Sequence, residues 1–364
     1  MDTENIENTH QDFKTGDVEV SRRNFNFGAA VMAAAGVVML GQKANAQSKK
    51  KIKLGLIGCG GRGLGAAVQA LNTAEDVELV AMADLFEDRA TKGRAQLIES
   101  FIETPEVGEK MKVDQDMVFH GFDGYKEVLK HVDAVILATP PAFRPEHFEA
   151  VVAADKHAFV EKPLATDAPG IRRVLKAAKS AKEKKLNVVV GLQRHHQAIY
   201  TGWVDKIHDG AIGDIIHSRV YWNGGGVWEP RMERGKEKNE LEYQLRNWYY
   251  YTWVCGDHIT EQHIHNLDVG NWVNKGYPVT AYGQGGRQAR IDKRYGDIFD
   301  HHSVEFEYEN GAIMSSRCRH FAQTGDLVTE KFHGTKGTAP EPGLILDAKG
   351  NTLHKHRRSR GEKD

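Results

Sequence analysis

From Lys51 onward, apolar residues fall into short β-branched runs separated by longer stretches in which they recur every three or four positions. The runs occupy Ile52–Ile57, Val77–Ala83, Ala134–Ala138, Ala158–Val160 and Val188–Val190. Strands buried on both faces read as near-continuous hydrophobic runs, and their alternation with amphipathic helices builds a parallel sheet with helices on each side. Residues 47–193 are therefore predicted to form a doubly wound α/β domain. Beyond Arg194 the pattern turns to β runs at Ile215–Trp222, Val279–Tyr282 and Val304–Tyr308, with a further run through Met314. The last two runs flank Glu309-Asn310-Gly311, and Asn-Gly between such runs is a hairpin signal. A second α+β domain is predicted over residues 194–364.

The first 46 residues follow a different rule. Phe27–Leu40 is an uncharged, mildly apolar run, shorter than the ~20 residues needed to span a bilayer. Ser21-Arg22-Arg23-Asn24-Phe25 stands before it and Ala44-Asn45-Ala46 after it. This reads as the charged region, apolar region and small-residue cleavage site of a twin-arginine signal. The expectation is cleavage after Ala46, passage through the twin-arginine export machinery as a folded protein, and a periplasmic location without stable membrane insertion.

Length and composition narrow the functional classes. The 364 residues suffice for two cores. With 49 Lys plus Arg against 50 Asp plus Glu, a formal charge of −1 gives no electrostatic reason to expect nucleic acid or an anionic membrane as partner. The basic run from His354 to Arg360 reads as a solvated chain end. Cys59, Cys255 and Cys318 include no C-x-x-C pair, which argues against a disulfide framework or a cysteine zinc site.

The first strand runs into Gly58-Cys59-Gly60-Gly61-Arg62-Gly63, and a helical stretch follows. In this arrangement Gly58 permits the tight turn, Gly60 admits the pyrophosphate, and Gly63 allows helix and strand to pack closely, with Gly61 and Arg62 lying in the same loop. The helix N-terminus offers unpaired N–H groups to phosphates. Asp84 ends the second strand about 20 residues further on, where an acidic group meets the ribose hydroxyls and repels a 2′-phosphate. NAD is favoured over NADP on this ground, although Arg89 lies close in sequence. Thr139, ahead of Pro140-Pro141 at the end of the fourth strand, is either a cofactor neighbour or a turn residue.

Together with Glu161-Lys162-Pro163, Gly191-Leu192-Gln193-Arg194, the segment Gly256–Asp268 and Gly334-Thr335-Lys336-Gly337, these motifs resemble the Gfo/Idh/MocA family of sugar and polyol oxidoreductases over roughly residues 51 to 340. The resemblance implies a Rossmann domain joined to an open-faced, mainly antiparallel sheet, with a sugar or polyol held between that sheet and the nicotinamide. It places Glu161 and Lys162 at the cofactor, with Lys162 contacting both nicotinamide and substrate hydroxyl as a proton shuttle. It also implies an acid and a histidine four residues apart on one helix, matched here by Glu261 and His265, although the acid in that pattern is usually aspartate. Homo-oligomers through the open sheet, and a helical C-terminal segment that this chain is too short to supply, belong to the same pattern.

A helix predicted from about Asp257 to Asn274 places His258, Glu261, His265, Asp268 and Trp272 on one stripe. Lys162, His265 and Glu261 are thus the catalytic candidates, with Arg194, His258 and Asp268 as substrate contacts. Tyr251 and Trp253, in the aromatic segment Arg246–Trp253, either stack beneath a sugar ring or belong to a core or subunit interface. Three other readings compete. Exported relatives of similar sequence include glycosidases that oxidise, eliminate, hydrate and reduce with retained NAD, but their tyrosine three residues before the histidine is Gln262 here. A metal held by His258, Glu261, His263 and His265 lacks both H-E-x-x-H and H-x-x-E-H, so no metal is expected. The third reading is a non-catalytic dinucleotide sensor.

Overall fold

The computed structural model describes residues 51–73 and 76–357. The expected export signal lies outside them. Strands β1 (Ile52–Ile57), β2 (Val77–Asp84), β3 (Val118–His120), β4 (Ala134–Leu137), β5 (His157–Val160) and β6 (Val188–Val190) form one sheet in the order β3-β2-β1-β4-β5-β6. All its pairs are parallel. The order reverses direction between β1 and β4, and in such sheets the ligand crevice opens there, beyond the strands' carboxyl ends.

Helices α1 (Gly61–Thr73), α2 (Glu87–Ser100), α3 (Pro105–Gly108), α4 (Gly124–Leu129), α5 (Arg144–Ala153) and α6 (Ala168–Glu183) cover this sheet. On one face Ala67 and Leu71 of α1 and Leu97 of α2 pack on Leu54, Leu56 and Met82. On the other, Val128 of α4, Val151 of α5 and Val174 of α6 pack on Ala81, Val135 and Val160. The strands are therefore buried from both sides, which is why their sequences do not alternate.

The second sheet contains β7 (Ile215–Gly224), β8 (Pro278–Gly286), β9 (His301–Tyr308), β10 (Ile313–His320), β11 (Leu327–Gly334), β12 (Gly337–Glu341), β13 (Leu344–Asp347) and β14 (Thr352–Lys355), in the order β14-β13-β12-β11-β7-β10-β9-β8. Only β7 and β10 run parallel. Five helices accompany it, α7 (Ala198–His208), α8 (Glu240–Arg246), α9 (Thr252–Cys255), α10 (Asp257–Glu261) and α11 (Ile264–Asn274). Trp203 and Ile207 of α7 and Val269 and Val273 of α11 bury one face against Phe332 and Ile345. Along β8, by contrast, Val279 and Tyr282 are exposed, so this sheet is open-faced.

The structure departs from expectation at three places. The predicted Asp257–Asn274 helix breaks at Gln262-His263, where the His263 N–H reaches back five residues to the His258 carbonyl and the buried His263 Nε2 lies 2.8 Å from Ser316 Oγ. A straight helix would strand that imidazole. The short edge strand β3 carries too few residues to show a period. Among the described residues, the C-terminal stretch is a meander of β12, β13 and β14 with no helix after Gly337; His354 and Lys355, read as part of a solvated end, pair with Ile345 and Leu344. Charged residues on an outermost strand discourage pairing with other chains.

Glu330 on β11 is fully buried and gathers the second domain around itself. Its carboxylate accepts from Arg194, from Asn266 Nδ2 of α11 at 2.5 Å and from Tyr200 of α7 at 3.1 Å. Removing one partner of a buried ion pair leaves the other charge uncompensated, at ~3–5 kcal/mol. Glu330→Ala and Glu330→Gln are both expected to lose stability of that order in urea unfolding, because each leaves the buried Arg194 guanidinium without its counter-charge.

Candidate active site

The β1–α1 loop is shaped by contacts that only glycine allows. Gly58 has φ +100, and a Cβ there would lie 2.6 Å from the Ala138 carbonyl carbon. A Cβ on Gly63 would lie 1.9 Å from the Gly58 oxygen. Gly61, in contrast, faces nothing within 4 Å, and Gly60 meets only Arg89 Nη1 at 3.8 Å. Two glycines thus let the chain fold tightly and two leave backbone open at the start of α1, where N–H groups lack helical acceptors. This cradle fits a diphosphate. At the end of β2, Asp84 accepts from the Cys59 N–H at 2.8 Å and from the Phe86 N–H at 3.0 Å, which fixes its carboxylate beside the loop.

The loop opens into a cleft of about 410 Å³ that also takes in Asp84, Thr139, Glu161 and Lys162 from the first domain and Glu261 and Gln262 from the second. Glu161 and Lys162 follow β5 directly, at the crevice end. The Glu161 carboxylate pairs with Arg62 Nε at 2.8 Å, tying the glycine loop to the β5 turn. Lys162 Nζ donates to the Glu261 backbone oxygen at 2.5 Å and to its Oε1 at 2.8 Å. The break after α10 frees that carbonyl from helical bonding. The buried guanidinium of Arg144 donates to the carbonyls of Thr139 and Pro163, joining two cleft-lining turns. Burial lowers its pKa to about 10.

His265 lies just behind this pair, 5% exposed, its ring 5.9 Å from that of Trp222 and its Nδ1 without a hydrogen-bond partner. Burial, then the charges of Lys162 and Arg194, holds its pKa well below the usual histidine range, so the imidazole is neutral at pH 7. Thr139 lines the cleft and its Oγ1 lies 3.2 Å from His147 Nδ1.

Five residues expected at the substrate sit elsewhere. Arg194 is consumed by Glu330 and stacks over Tyr200. Asp268 lies 2.7 Å from His195 Nε2. His258 is buried against Asp257. Tyr251 packs edge-on to Tyr243, and Trp253 donates to Gln244 Oε1 on the outside. The aromatic lining comes instead from Trp228, Trp248 and Tyr249. Tyr249 has a buried hydroxyl with no partner, and burial pushes its pKa well above the tyrosine range. The segment thus gives Trp248 and Tyr249 to the cleft and Tyr250 and Tyr251 to the core, a division that composition does not reveal. Arg144 carried no sequence signal either. The metal set His258, Glu261, His263 and His265 does not converge, since Glu261 pairs with Lys162 and His263 with Ser316.

A dinucleotide cradle, a lysine at the crevice end and a second domain closing over both define a dinucleotide-dependent dehydrogenase. The chain belongs to the Gfo/Idh/MocA oxidoreductase family. Residues 52–191 match the model of the oxidoreductase family with NAD-binding Rossmann fold, and residues 204–339 match the Gfo/Idh/MocA C-terminal domain. Among similar proteins, inositol 2-dehydrogenase of Klebsiella pneumoniae (strain 342) is 26% identical over 309 residues, covering 83% of this chain and 78% of that one. Inositol 2-dehydrogenase 3 of Saccharopolyspora erythraea is 25% identical over 293 residues, covering 80% and 74%. The fold is shared with the aldose-aldose oxidoreductase of Caulobacter crescentus, at TM-score 0.64 and 15% identity over 86% of each chain. It is also shared with the WlbA dehydrogenase of Bordetella pertussis in complex with NADH and UDP-GlcNAcA, at TM-score 0.62 and 20% identity, covering 86% of this chain and 80% of that one.

Two outcomes follow from this geometry. Gly63→Ala should weaken NAD binding by at least ~100-fold, measured by calorimetry, because the added methyl must displace the Gly58 carbonyl that shapes the loop. His147, which burial first and Arg144 second hold at about 4, is neutral when folded and has an ordinary value of 6.5. Between those values the unfolded chain binds more protons, so this stabilisation is complete above pH 6.5 and is lost as pH falls through 4. The urea midpoint should decline over that window, and less steeply in His147→Gln.

Proposed function

We propose that this protein oxidises a secondary hydroxyl of a sugar or cyclic polyol, with Lys162, Glu261 and His265 handling the proton. The observation that carries the reading is the Lys162–Glu261 contact, which brings an ammonium from the end of β5 and a carboxylate from the second domain into the cleft that holds the glycine loop. NAD+, when bound, accepts the hydride that the carbinol carbon gives up. Lys162 Nζ donates a hydrogen bond to the substrate oxygen and so favours the alkoxide character that develops as hydride leaves. His265, held neutral by its burial, accepts the hydroxyl proton. Glu261 holds Lys162 in place and offers its second oxygen to a neighbouring hydroxyl.

The substrate class rests on the names of the relatives and on the cleft itself. Inositol 2-dehydrogenases act on a polyol, and the faces of Trp228, Trp248 and Tyr249 suit the C–H faces of a ring. Asp84, fixed by two N–H groups, favours NAD over NADP. Gln262, where the glycosidase pattern has tyrosine, removes the acid–base group that elimination would use.

Lys162→Met should retain NAD affinity near that of wild type and lose ~100- to 10,000-fold in turnover of a responsive polyol, followed by NADH absorbance. Unchanged turnover removes Lys162 from the chemistry. Export is a separate proposal, resting on Arg22-Arg23 and Ala44-Asn45-Ala46. Cell fractionation should find the protein in the periplasm beginning at Gln47, and Arg22→Lys together with Arg23→Lys should retain it in the cytoplasm; a wild-type protein wholly cytoplasmic with its N-terminus intact contradicts export.

A further inference from the structure

Beneath the cleft, the described residues gather a second polar cluster that the redox chemistry does not use. Asp257 and His258 open α10, His302 lies on β9 and His320 on β10. One ligand atom from each of Asp257, His258 and His302 lies within 4.8 Å of the others. Asp257 Oδ1 is 3.0 Å from His258 Nδ1 and 3.3 Å from His302 Nε2, while its Oδ2 is held by the Phe299 N–H at 2.8 Å. The His320 ring stands 4.2 Å from that of His258.

The nitrogens of this cluster are short of partners. His258 Nε2 and both ring nitrogens of His320 make no hydrogen bond, although His258 is 0% and His320 1% exposed, and His302 Nε2 has only the Asp257 carboxylate, 3.3 Å away. Each buried polar atom left unmatched costs ~1–3 kcal/mol, and native proteins carry few. Three in one place, beside the Asp257 carboxylate and the His302 imidazole, mark a cluster of nitrogens that the described residues leave unsatisfied.

We propose that Asp257, His258 and His302 bind one divalent transition-metal ion of the zinc class, the fourth position being left to a water molecule. Imidazole nitrogens with a single carboxylate oxygen suit such an ion, whereas calcium and magnesium require a shell of oxygens. The Asp257 Oδ2 contact to Phe299 supplies the outer hydrogen bond that orients a ligating carboxylate. Tyr249 stacks on His320 at 5.9 Å and itself lines the cleft, so it stands between the cluster and the substrate space. Set behind Tyr249 and away from the substrate space, the ion has a structural role. It clamps the start of α10 to β9, and α10 carries Glu261 at its other end. This set differs from the helical one considered in the sequence, sharing only His258, and it stands whether or not the protein is a polyol dehydrogenase.

The test uses the full chain and does not depend on turnover. Protein purified from zinc-supplemented cells and dialysed against metal-free buffer is analysed by mass spectrometry for metal. It is then stripped with a chelator and titrated with CoCl2. The expected result is about one equivalent of metal, intense visible Co2+ bands of a four-coordinate site and a lower melting temperature after stripping. His302→Ala should weaken Co2+ binding by at least ~10-fold while NAD affinity stays near wild type. If His302→Ala does not fold, His302→Gln and the wild-type cobalt spectrum decide. Trace metal only, or the weak bands of six-coordinate Co2+, overturns the proposal, as does Co2+ affinity unchanged in a folded His302 variant.

Discussion

The contact on which the site depends is the ion pair between Lys162 and Glu261, 2.8 Å long and mostly shielded from solvent. One partner sits where β5 ends and the parallel sheet opens its crevice. The other terminates α10, on the far side of the cleft. Neither domain contains this pair alone, and a buried charge left without its partner is costly. The pair therefore does more than hold two side chains: it sets how the second domain approaches the glycine loop, and so defines the space left for a substrate.

Around that pair the electrostatics divide by type of group. Carboxylates are held where cations or N–H groups meet them, as with Asp84 at two backbone amides and Glu161 at Arg62. Imidazoles are instead buried without counter-charge, which keeps His265 neutral and pushes His147 to about 4. A site that must both attract an anionic cofactor and accept a proton needs this separation, because a protonated histidine beside Lys162 could accept nothing.

The sequence was most readable where one local rule decided the outcome. Buried parallel strands announce themselves as unbroken apolar runs, and the glycines of 58–63 are required by contacts within a single turn, so the first sheet apart from β3, together with its loop, was legible from spacing, whereas Glu161 and Lys162 were placed at the cofactor by the family resemblance. The open sheet was legible in part. Its β7, β8, β9 and β10 stand out, but the meander after Gly337 is short and polar and resembles a tail. The aromatic segment was the least legible. Tyr249 turns to the cleft from within a 3-10 turn, Trp248–Tyr250, while Tyr251, just past its end, turns to Tyr243, and no periodicity fixes that turn in advance. Arg194 looked like a ligand for substrate because its partner Glu330 lies far along the chain, and a long-range ion pair leaves no local trace. The helix break at His263 has the same origin, since it answers to Ser316.

The account stands on the glycine loop and Lys162 sharing one ligand. A crystal structure of the protein with NAD+ tests this directly. The account predicts the diphosphate against the backbone amides of residues 60–63, the adenosine ribose at Asp84 and the nicotinamide beside Lys162 Nζ. A dinucleotide bound away from this loop, or one whose nicotinamide lies far from Lys162, contradicts it.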